Sequence, residues 1–213
     1  MCSHYQSLQH PQTYRELFHV EPPPQEGRQD MWPCYEGSFI RRHPHAHVGD
    51  EAVPAREALN GQFGLVPHWA DDLKLGRHTF NARSETAATK PSFRDAWRQA
   101  RHCIIPALAF YEPDWRSGKA IATRISRADG QPMGIAGLWA QWKSPQGETV
   151  HSFTMLTINA DQHPLMQLFH KPTDEKRMVV ILPEAQFDDW LDAPAHHSLA
   201  FLQPYPAEGL RAG

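Results

Sequence analysis

Residues 103–160 decide the fold, because they contain four runs typical of strands: CIIPALAFYEP (103–113), KAIATRIS (119–126), MGIAGLWAQW (133–142) and VHSFTMLTINA (150–160). The runs are rich in aliphatic, β-branched and aromatic residues, which favour strands. RADGQP (127–132) separates the second run from the third and contains Asp129-Gly130, a pair typical of hairpin turns, and SPQGET (144–149) separates the third from the fourth. The stretch predicts a mainly antiparallel sheet with a hairpin at Asp129-Gly130.

The flanking sequence predicts short helices and additional strands. We expect helices near PQTYRELFHV (11–20), HPLMQLF (163–169) and PEAQFDDWL (183–191), and two in NARSETAATKPSFRDAWRQA (81–100), with Pro91 at the first position of the second. GQFGLVPHW (61–69) predicts a strand ended by Pro67, and RMVVIL (177–182) a buried strand. EPPPQEGRQDMWP (21–33) has four prolines, which exclude a helix interior or central strand and indicate an extended connector.

Length and composition fit one soluble α+β domain spanning residues 1–213, built on a strongly bent or barrel-like, mainly antiparallel sheet flanked by short helices. The 213 residues are 40% hydrophobic and 21% charged, enough for one buried core. No run approaches the roughly 20 apolar residues of a membrane helix, and the polar first residues lack the apolar segment of a secretory signal. We expect a monomeric cytoplasmic protein that does not contact a membrane.

Neither disulfides nor metal binding are favoured. The three cysteines are odd in number and far apart, so we expect reduced thiols, with Cys34 and Cys103 serving as small packing residues among apolar neighbours. His43, His45 and His47 alternate in RRHPHAH (41–47), which would suit a metal site on a strand or, alternatively, an exposed polar loop. Because no HExxH motif or Cys/His pairing accompanies them, we favour the loop and predict no metal or other cofactor.

Positive charge is concentrated in one part of the chain. The formal net charge is −3, yet residues 74–101 contain seven Lys or Arg against two acidic residues. Such a block could bind phosphates or could be a solvated basic face paired with acids elsewhere, and charge alone does not separate these alternatives.

Cys2 follows the initiator methionine. It is either an ordinary terminal residue or, once Met1 is removed, a 1,2-aminothiol whose amine and thiol have ordinary pKa values of about 8 and 8.5. The amine can condense with an aldehyde to an imine, and the thiolate can then close a five-membered thiazolidine. An aldehyde is therefore the natural reaction partner of such an aminothiol, and the alternative of an ordinary terminal residue stays open.

Six ordered blocks resemble the SOS response-associated peptidase (SRAP) family: FGLVPHWA, NARSETAATKPSFRDAW, CIIPALAFYEP, AGLW, SFTMLTINAD and FHKPTDEKRMVVIL. The resemblance runs from Cys2 to about Leu191. It implies that Cys2 is the catalytic residue and crosslinks covalently to the ring-opened aldehyde of an abasic site in single-stranded DNA. It also implies that Asn81 orients the terminus or sugar, that Glu112 is the general acid and base, and that His170 moves protons at the sugar.

Each of these residues has a structural alternative. Asn81 could cap a helix starting near Ala82, Glu112 could pair with an arginine at a strand end, and His170 could occupy a helix C-terminus.

The resemblance also implies contacts with DNA. Arg83, Arg94 and Arg177 match positions near the DNA backbone, and Thr157 matches one near the abasic nucleotide. Trp69 would stack on an exposed base or, alternatively, pack in the core. Phosphate contacts give affinity without sequence preference, which suits a lesion binder associated with the nucleoid.

The chain also departs from the family pattern. Ser3 and His4 replace the family's Gly-Arg, so a phosphate contact is lost or depends on histidine protonation, for which Arg42 beside Arg41 could compensate. The upstream Tyr-Asn-x-Ala-Pro motif is absent, and Pro113 replaces the tryptophan that commonly follows the glutamate.

Three functions remain open from the sequence. The first is a thiazolidine crosslink that shields abasic single-stranded DNA, with an associated self-processing peptidase activity. The second is an N-terminal-nucleophile amidohydrolase acting on a small amide, with the Cys2 thiol as nucleophile and its own amine as base. The third is noncovalent binding of single-stranded DNA.

Overall fold

In this computed structural model, the described residues 2–25, 27–46 and 52–213 form twelve strands of one sheet. The strands are β1 (Tyr5–Ser7), β2 (Asp30–Met31), β3 (Glu36–Arg42), β4 (Arg56–Phe63), β5 (Asn81–Arg83), β6 (His102–Asp114), β7 (Ile121–Arg127), β8 (Met133–Lys143), β9 (Thr149–Asn159), β10 (Arg177–Val179), β11 (Ile181–Leu182) and β12 (Leu210–Ala212).

Five of these strands close a barrel in the order β8-β9-β4-β3-β6, with β6 pairing back to β8. Four of the five contacts are antiparallel, and the β4–β9 contact is parallel. Closure leaves these strands without free edges, which limits edge-to-edge association. The predicted α+β fold with a barrel-like, mainly antiparallel sheet is confirmed.

Strand β6 is shared between the barrel and a smaller extension of the sheet. Its first half, from His102 to Ala107, pairs with β8, and its last five residues pair with β7. The extension also contains β12, which pairs with β7, and β1, which pairs with the second half of β6.

The predicted hairpin at Asp129-Gly130 is wrong. Strands β7 and β8 run in the same direction along one side of β6, one after the other, and the Asp129-Gly130 turn only connects them. Between β6 and β9 the hairpins are β6–β7, which turns at Gly118, and β8–β9, which turns at Gly147. Because β6 is long enough to pair with both strands in succession, its second half takes the place of β8 as the partner of β7.

Short helices lie around the sheet: α1 (Pro11–Leu17), α2 (Ser84–Ala87), α3 (Arg94–Arg98) and α4 (Phe187–Asp192), with 3-10 helices at Leu73–His78, Met166–Leu168, Glu184–Gln186, Ala195–Phe201 and Ala207–Gly209. No helix among the described residues has the length and apolar character needed to cross a membrane.

Several predicted boundaries shift. Strand β4 ends at Phe63 rather than at Pro67, because Gly64 turns the chain with a φ of +115°. The segment predicted to form two helices begins as strand β5, and its second helix starts at Arg94, three residues beyond Pro91. RMVVIL forms two strands, since β10 pairs with β9 whereas β11 pairs with β8.

Aromatic side chains from three barrel strands fill its interior. Phe39, Phe63 and Phe153 are fully buried, and the Phe153 ring centroid lies 5.6 Å from that of Phe39 and 5.7 Å from that of Phe63. Cys103 is also buried, as predicted. Helix α4 packs on the outer face of β6, where Trp190 Nε1 donates to the Cys103 carbonyl at 2.9 Å. The site described next lies at the other end of β6.

Candidate active site

Pairing of β1 with β6 brings the N-terminal residues to the end of β6. Tyr5 pairs with Phe110, and the Tyr111 N–H donates to the His4 carbonyl at 3.0 Å. Cys2 is consequently held beside Glu112 and is only 1% exposed. Met1 lies outside the described residues.

The surroundings of the Cys2 thiol favour its protonated form. Burial, and then the negative charge of Glu112, raise the pKa of this thiol well above its usual range. Its Sγ donates to the His4 carbonyl at 3.3 Å. A reaction at this sulfur therefore requires a group that accepts the thiol proton.

Asn81, the first residue of β5, fixes the main chain at Cys2. Its Nδ2 donates to the Cys2 carbonyl at 2.6 Å, and the side chain is buried. The alternative role as a helix cap is wrong, because α2 begins at Ser84 and Asn81 bonds to the N-terminal segment instead. The amide oxygen Oδ1 has no hydrogen-bond partner among the described residues, so the site retains one buried acceptor near Cys2.

Glu112 and His170 form a buried acid–imidazole pair. His170 Nε2 lies 3.0 Å from Glu112 Oε2, and both side chains are buried. His170 does follow a 3-10 helix, Met166–Leu168, but its side chain is directed to Glu112 rather than serving the helix end. The 3.0 Å separation is short enough for proton exchange, but His170 Nε2 makes no hydrogen bond among the described residues, so the ring must reorient slightly before a proton can pass between imidazole and carboxylate.

Two interactions hold the loop that carries His170. The His170 N–H donates to the Pro113 carbonyl at 2.7 Å, and the residue has a left-handed φ of 63°. The buried Lys176 ammonium donates to the carbonyls of Lys171 at 2.6 Å and His170 at 3.4 Å. Because a left-handed backbone is unfavourable for a non-glycine residue, these contacts are needed to keep the imidazole in place.

Comparison with known proteins agrees with this geometry. The family model "SOS response associated peptidase (SRAP)" matches residues 1–213. The chain belongs to the SRAP family. A solved crystal structure of a protein from Bordetella bronchiseptica is 50% identical and superimposes with a TM-score of 0.89, over 100% of this chain and 98% of its own. Another, from Bacteroides thetaiotaomicron, is 20% identical with a TM-score of 0.80 and shows the shared fold, over 99% and 90% of the two chains.

Curated SRAP relatives carry functional names. The Bacillus subtilis "Abasic site processing protein YoqW" is 36% identical over 155 residues, which are 71% of this chain and 66% of that protein. The Gallus gallus "Abasic site processing protein HMCES" is 26% identical over 185 residues, which are 74% of this chain and 53% of that protein. The chain thus spans just under two thirds of the first relative and about half of the second.

Arg83 lies close to the SRAP site along β5. It lies two residues after Asn81 on β5, roughly 7 Å along the strand and on the same face. Its side chain is 46% exposed and forms an ion pair with Glu175 at 2.7 Å. Arg83 is therefore accessible to a phosphate beside the site.

Arg177 and Thr157 have protein partners. The Arg177 guanidinium, which is buried, makes two 2.9 Å bonds to Glu85 and one of 2.9 Å to Glu175. It also donates to the buried Thr157, at 2.8 Å to the carbonyl and 3.2 Å to Oγ1. These contacts join β9, β10 and α2 beneath Arg83.

The remaining predicted DNA contacts lie in different places. Arg94 is exposed at the start of α3, and Trp69 is 47% exposed in the loop between β4 and β5, so the alternative of a core tryptophan is wrong. Arg42 is not brought to the site: it forms an ion pair with Asp192 at the end of α4. Ile40, two residues before it, pairs with Ile104, which is roughly 26 Å along β6 from Glu112.

The histidine-rich segment is placed away from these residues. Among the residues that the structure describes, no three His, Cys, Asp or Glu side chains come together as a metal site. His43 and His45 lie just after β3 with ring centroids 5.7 Å apart, whereas His47 is outside the described residues. Cys34, expected to be a packing residue, is only half-buried and has a φ of 72°.

Sequence reasoning missed an aromatic stack beside Cys2. The His4 ring lies between Trp32, at 4.2 Å, and Tyr111, at 4.1 Å, with interplanar angles of 10° and 6°. Its Nε2 is 2.8 Å from Asp30 Oδ1. Only the register of β1 with β2 and β6 brings these residues together, so no local motif could have revealed the stack.

Proposed function

We propose that this protein binds single-stranded DNA and that its Cys2, as the N-terminal residue, forms a thiazolidine crosslink with the ring-opened aldehyde of an abasic site. The crosslink would shield the lesion from strand cleavage. The observation that supports it best is the grouping of the Cys2 thiol with Asn81, Glu112 and His170. The names of the curated SRAP relatives support the same substrate.

The proposed reaction forms two bonds to the aldehyde carbon, one from nitrogen and one from sulfur, and releases one water molecule. The Cys2 α-amine attacks C1′ of the aldehyde, and loss of water from the resulting carbinolamine gives an imine. Sulfur then adds to the imine carbon while the thiol proton is transferred to the nitrogen, which closes the ring. No oxidant or reductant is needed, and the amine is available only after the Met1–Cys2 peptide bond has been cleaved.

The buried residues would supply the proton transfers. The raised pKa of the Cys2 thiol means that sulfur must lose its proton as it adds, and Glu112 is the nearby carboxylate. His170, 3.0 Å from Glu112, would exchange the proton and assist opening of the sugar. Asn81 would hold the Cys2 carbonyl, so that amine and thiol approach the same carbon.

A denaturing gel with an abasic single-stranded oligonucleotide tests the proposal. Wild-type protein of confirmed mass, lacking Met1, should give a heat-stable shifted band, and Cys2→Ala should give none. Cys2→Ser keeps the amine and should give only an imine, which is seen after borohydride trapping. Cys34→Ser is the matched cysteine control and should react like wild type. An equal heat-stable band from Cys2→Ala would refute the proposed crosslink.

We further propose that the same site removes Met1, as the peptidase in the family name suggests. The intact mass of wild type and Glu112→Gln, expressed in the same cells, tests this step. Retention of Met1 by the variant alone supports self-processing, whereas its loss from both chains assigns the step to the host.

The amidohydrolase alternative makes a different prediction. It requires hydrolysis of a small amide by the processed protein without DNA. Release of ammonia from glutamine, together with no covalent band on abasic DNA, would favour it over the crosslink.

A further inference from the structure

We propose that the outer face of Trp32 is a stacking platform for the nucleobase next to the abasic nucleotide. This inference rests on the proposed function only in taking single-stranded DNA as the partner. It adds a binding site in the turn between β2 and β3, a region where the family's usual motif is absent from this chain.

The platform is a rigid stack of three rings. Trp32 covers one face of the His4 ring and Tyr111 covers the other, with centroid distances of 4.2 and 4.1 Å. His4 is further fixed by Asp30 at 2.8 Å and by the pairing of its carbonyl with the Tyr111 N–H. The indole is therefore held in one orientation, which lowers the entropy cost of placing a base on it.

The indole remains accessible despite this stack. Trp32 is 44% exposed although His4 covers one of its faces. Tyr35, in the same turn, is 37% exposed, and its N–H donates to the Trp32 carbonyl at 2.9 Å. The Arg28 guanidinium lies 4.5 Å from the centre of the Tyr35 ring. Exposed aromatic rings beside a cation are the usual surface for unpaired bases.

The stack is next to the reacting residues. The Cys2 thiol and the Tyr111 N–H both donate to the His4 carbonyl, at 3.3 and 3.0 Å, so the stack adjoins Cys2 through the main chain. The Tyr111 and Glu112 side chains, being consecutive on β6, point to opposite faces of that strand. A base that flanks an abasic nucleotide has one face without a stacking neighbour, and an indole can cover that face whatever the base is.

The charges nearby favour a base over a phosphate at this position. Both faces of the His4 ring are covered, and its Nε2 contacts the Asp30 carboxylate, which is itself 57% exposed. An exposed carboxylate repels phosphate, whereas a neutral base is not repelled. The geometry therefore gives His4 a role in supporting the indole in place of the phosphate contact considered from the sequence.

Fluorescence of 2-aminopurine tests the platform without any crosslinking. The probe is a single-stranded oligonucleotide with a tetrahydrofuran abasic analogue, which has no aldehyde, and with 2-aminopurine on its 5′ or 3′ side. Wild type should quench the fluorescence at one of these positions. Trp32→Ala should abolish that quenching and weaken binding about 5- to 100-fold.

Two further variants separate stacking from folding. Trp32→Phe keeps an aromatic ring and should retain most of the affinity, whereas Trp32→Leu keeps apolar packing on His4 but should bind as weakly as Trp32→Ala. Leu199→Ala removes another exposed apolar side chain, in the 3-10 helix Ala195–Phe201, and should bind like wild type. Wild-type quenching and affinity in a folded Trp32→Leu would overturn the platform.

Failure of the platform can be distinguished from failure of the proposed function. Crosslinking of natural abasic DNA by wild type, combined with Trp32-independent quenching, overturns the platform and leaves the crosslink intact. Trp32-dependent quenching without any crosslink supports the platform and refutes the covalent reaction.

Discussion

Replacing Arg177 by Met should destabilise the fold by about 2–4 kcal/mol. The variant loses the bonds from a buried guanidinium to Glu85, Glu175 and Thr157. The Thr157 carbonyl loses its bond to Arg177, and an orphaned buried acceptor costs about 1–3 kcal/mol. The two carboxylates are partly exposed, at 49% and 36%, so water replaces much of what they lose and the total stays below the roughly 3–5 kcal/mol typical of breaking a fully buried pair.

Thermal unfolding at neutral pH measures this effect. For a domain of this size, each kcal/mol corresponds to about 2–4 °C, so the midpoint should fall by about 5–15 °C. Hydrogen bonds from Arg177 lower the pKa of Glu175, and they also lower that of Glu85 despite its partial burial. Their stabilisation is complete above the ordinary glutamate pKa and is lost as pH falls through the lowered values. The difference in melting temperature between wild type and Arg177→Met should therefore become smaller as the pH is lowered.

Arg83→Met is the matched control. Its ion pair is half-exposed, so stability should change by less than about 1 kcal/mol. On single-stranded DNA the slope of log K against log salt should decrease by about 0.7, as expected for one lost phosphate contact. If Arg177→Met instead decreased the salt slope by about 0.7 and left the melting temperature unchanged, Arg177 would bind phosphate rather than stabilise the fold.

Three other perturbations probe the fold and the site. Burial lowers the pKa of His102 to about 4, so the unfolded chain binds a proton at higher pH than the folded protein does. The free energy of unfolding of wild type should therefore fall by about 3 kcal/mol between pH 6.5 and 4. Urea titrations should show a smaller decrease over this pH range for His102→Gln. Gly64→Ala should cost more than about 3 kcal/mol, because φ is +115° and a Cβ would collide with the Gly76 carbonyl; a near-wild-type melting temperature would contradict this. Lys176→Met should slow crosslinking at saturating DNA and shift its pH profile by freeing the His170 loop; a slower reaction with an unchanged pH profile would indicate only a structural role.

Three of the five barrel strands could be predicted because their signals are local, whereas β3 was not predicted and β4 was predicted only from Gly61 onward. Continuous apolar runs gave β6, β8 and β9 within a few residues of their observed bounds. Their pairing could not be predicted in the same way: Asp129-Gly130 does form a turn, but whether the strands beside a turn pair with each other depends on the length of β6. Register and bending are properties of the whole sheet rather than of a short segment.

The site shows a similar division. The SRAP-like motifs identified Cys2, Asn81, Glu112 and His170, and the structure brings these four residues together from two strands, the N-terminal segment before β1 and one loop. The resemblance placed Arg83 and Arg177 alike near the DNA backbone, because a sequence does not show whether a guanidinium faces carboxylates or solvent.

The division of β6 between two parts of the sheet has a consequence for local unfolding. The amides of residues 102–107 belong to the closed barrel, whereas those of residues 110–114 depend on the smaller β7 and β12 extension. Opening of that extension would admit water to Glu112 while the Phe39, Phe63 and Phe153 core stays packed. In hydrogen exchange, one continuous strand should then show two levels of protection, and the amides of residues 110–114, beside Glu112, should exchange faster than those of residues 102–107.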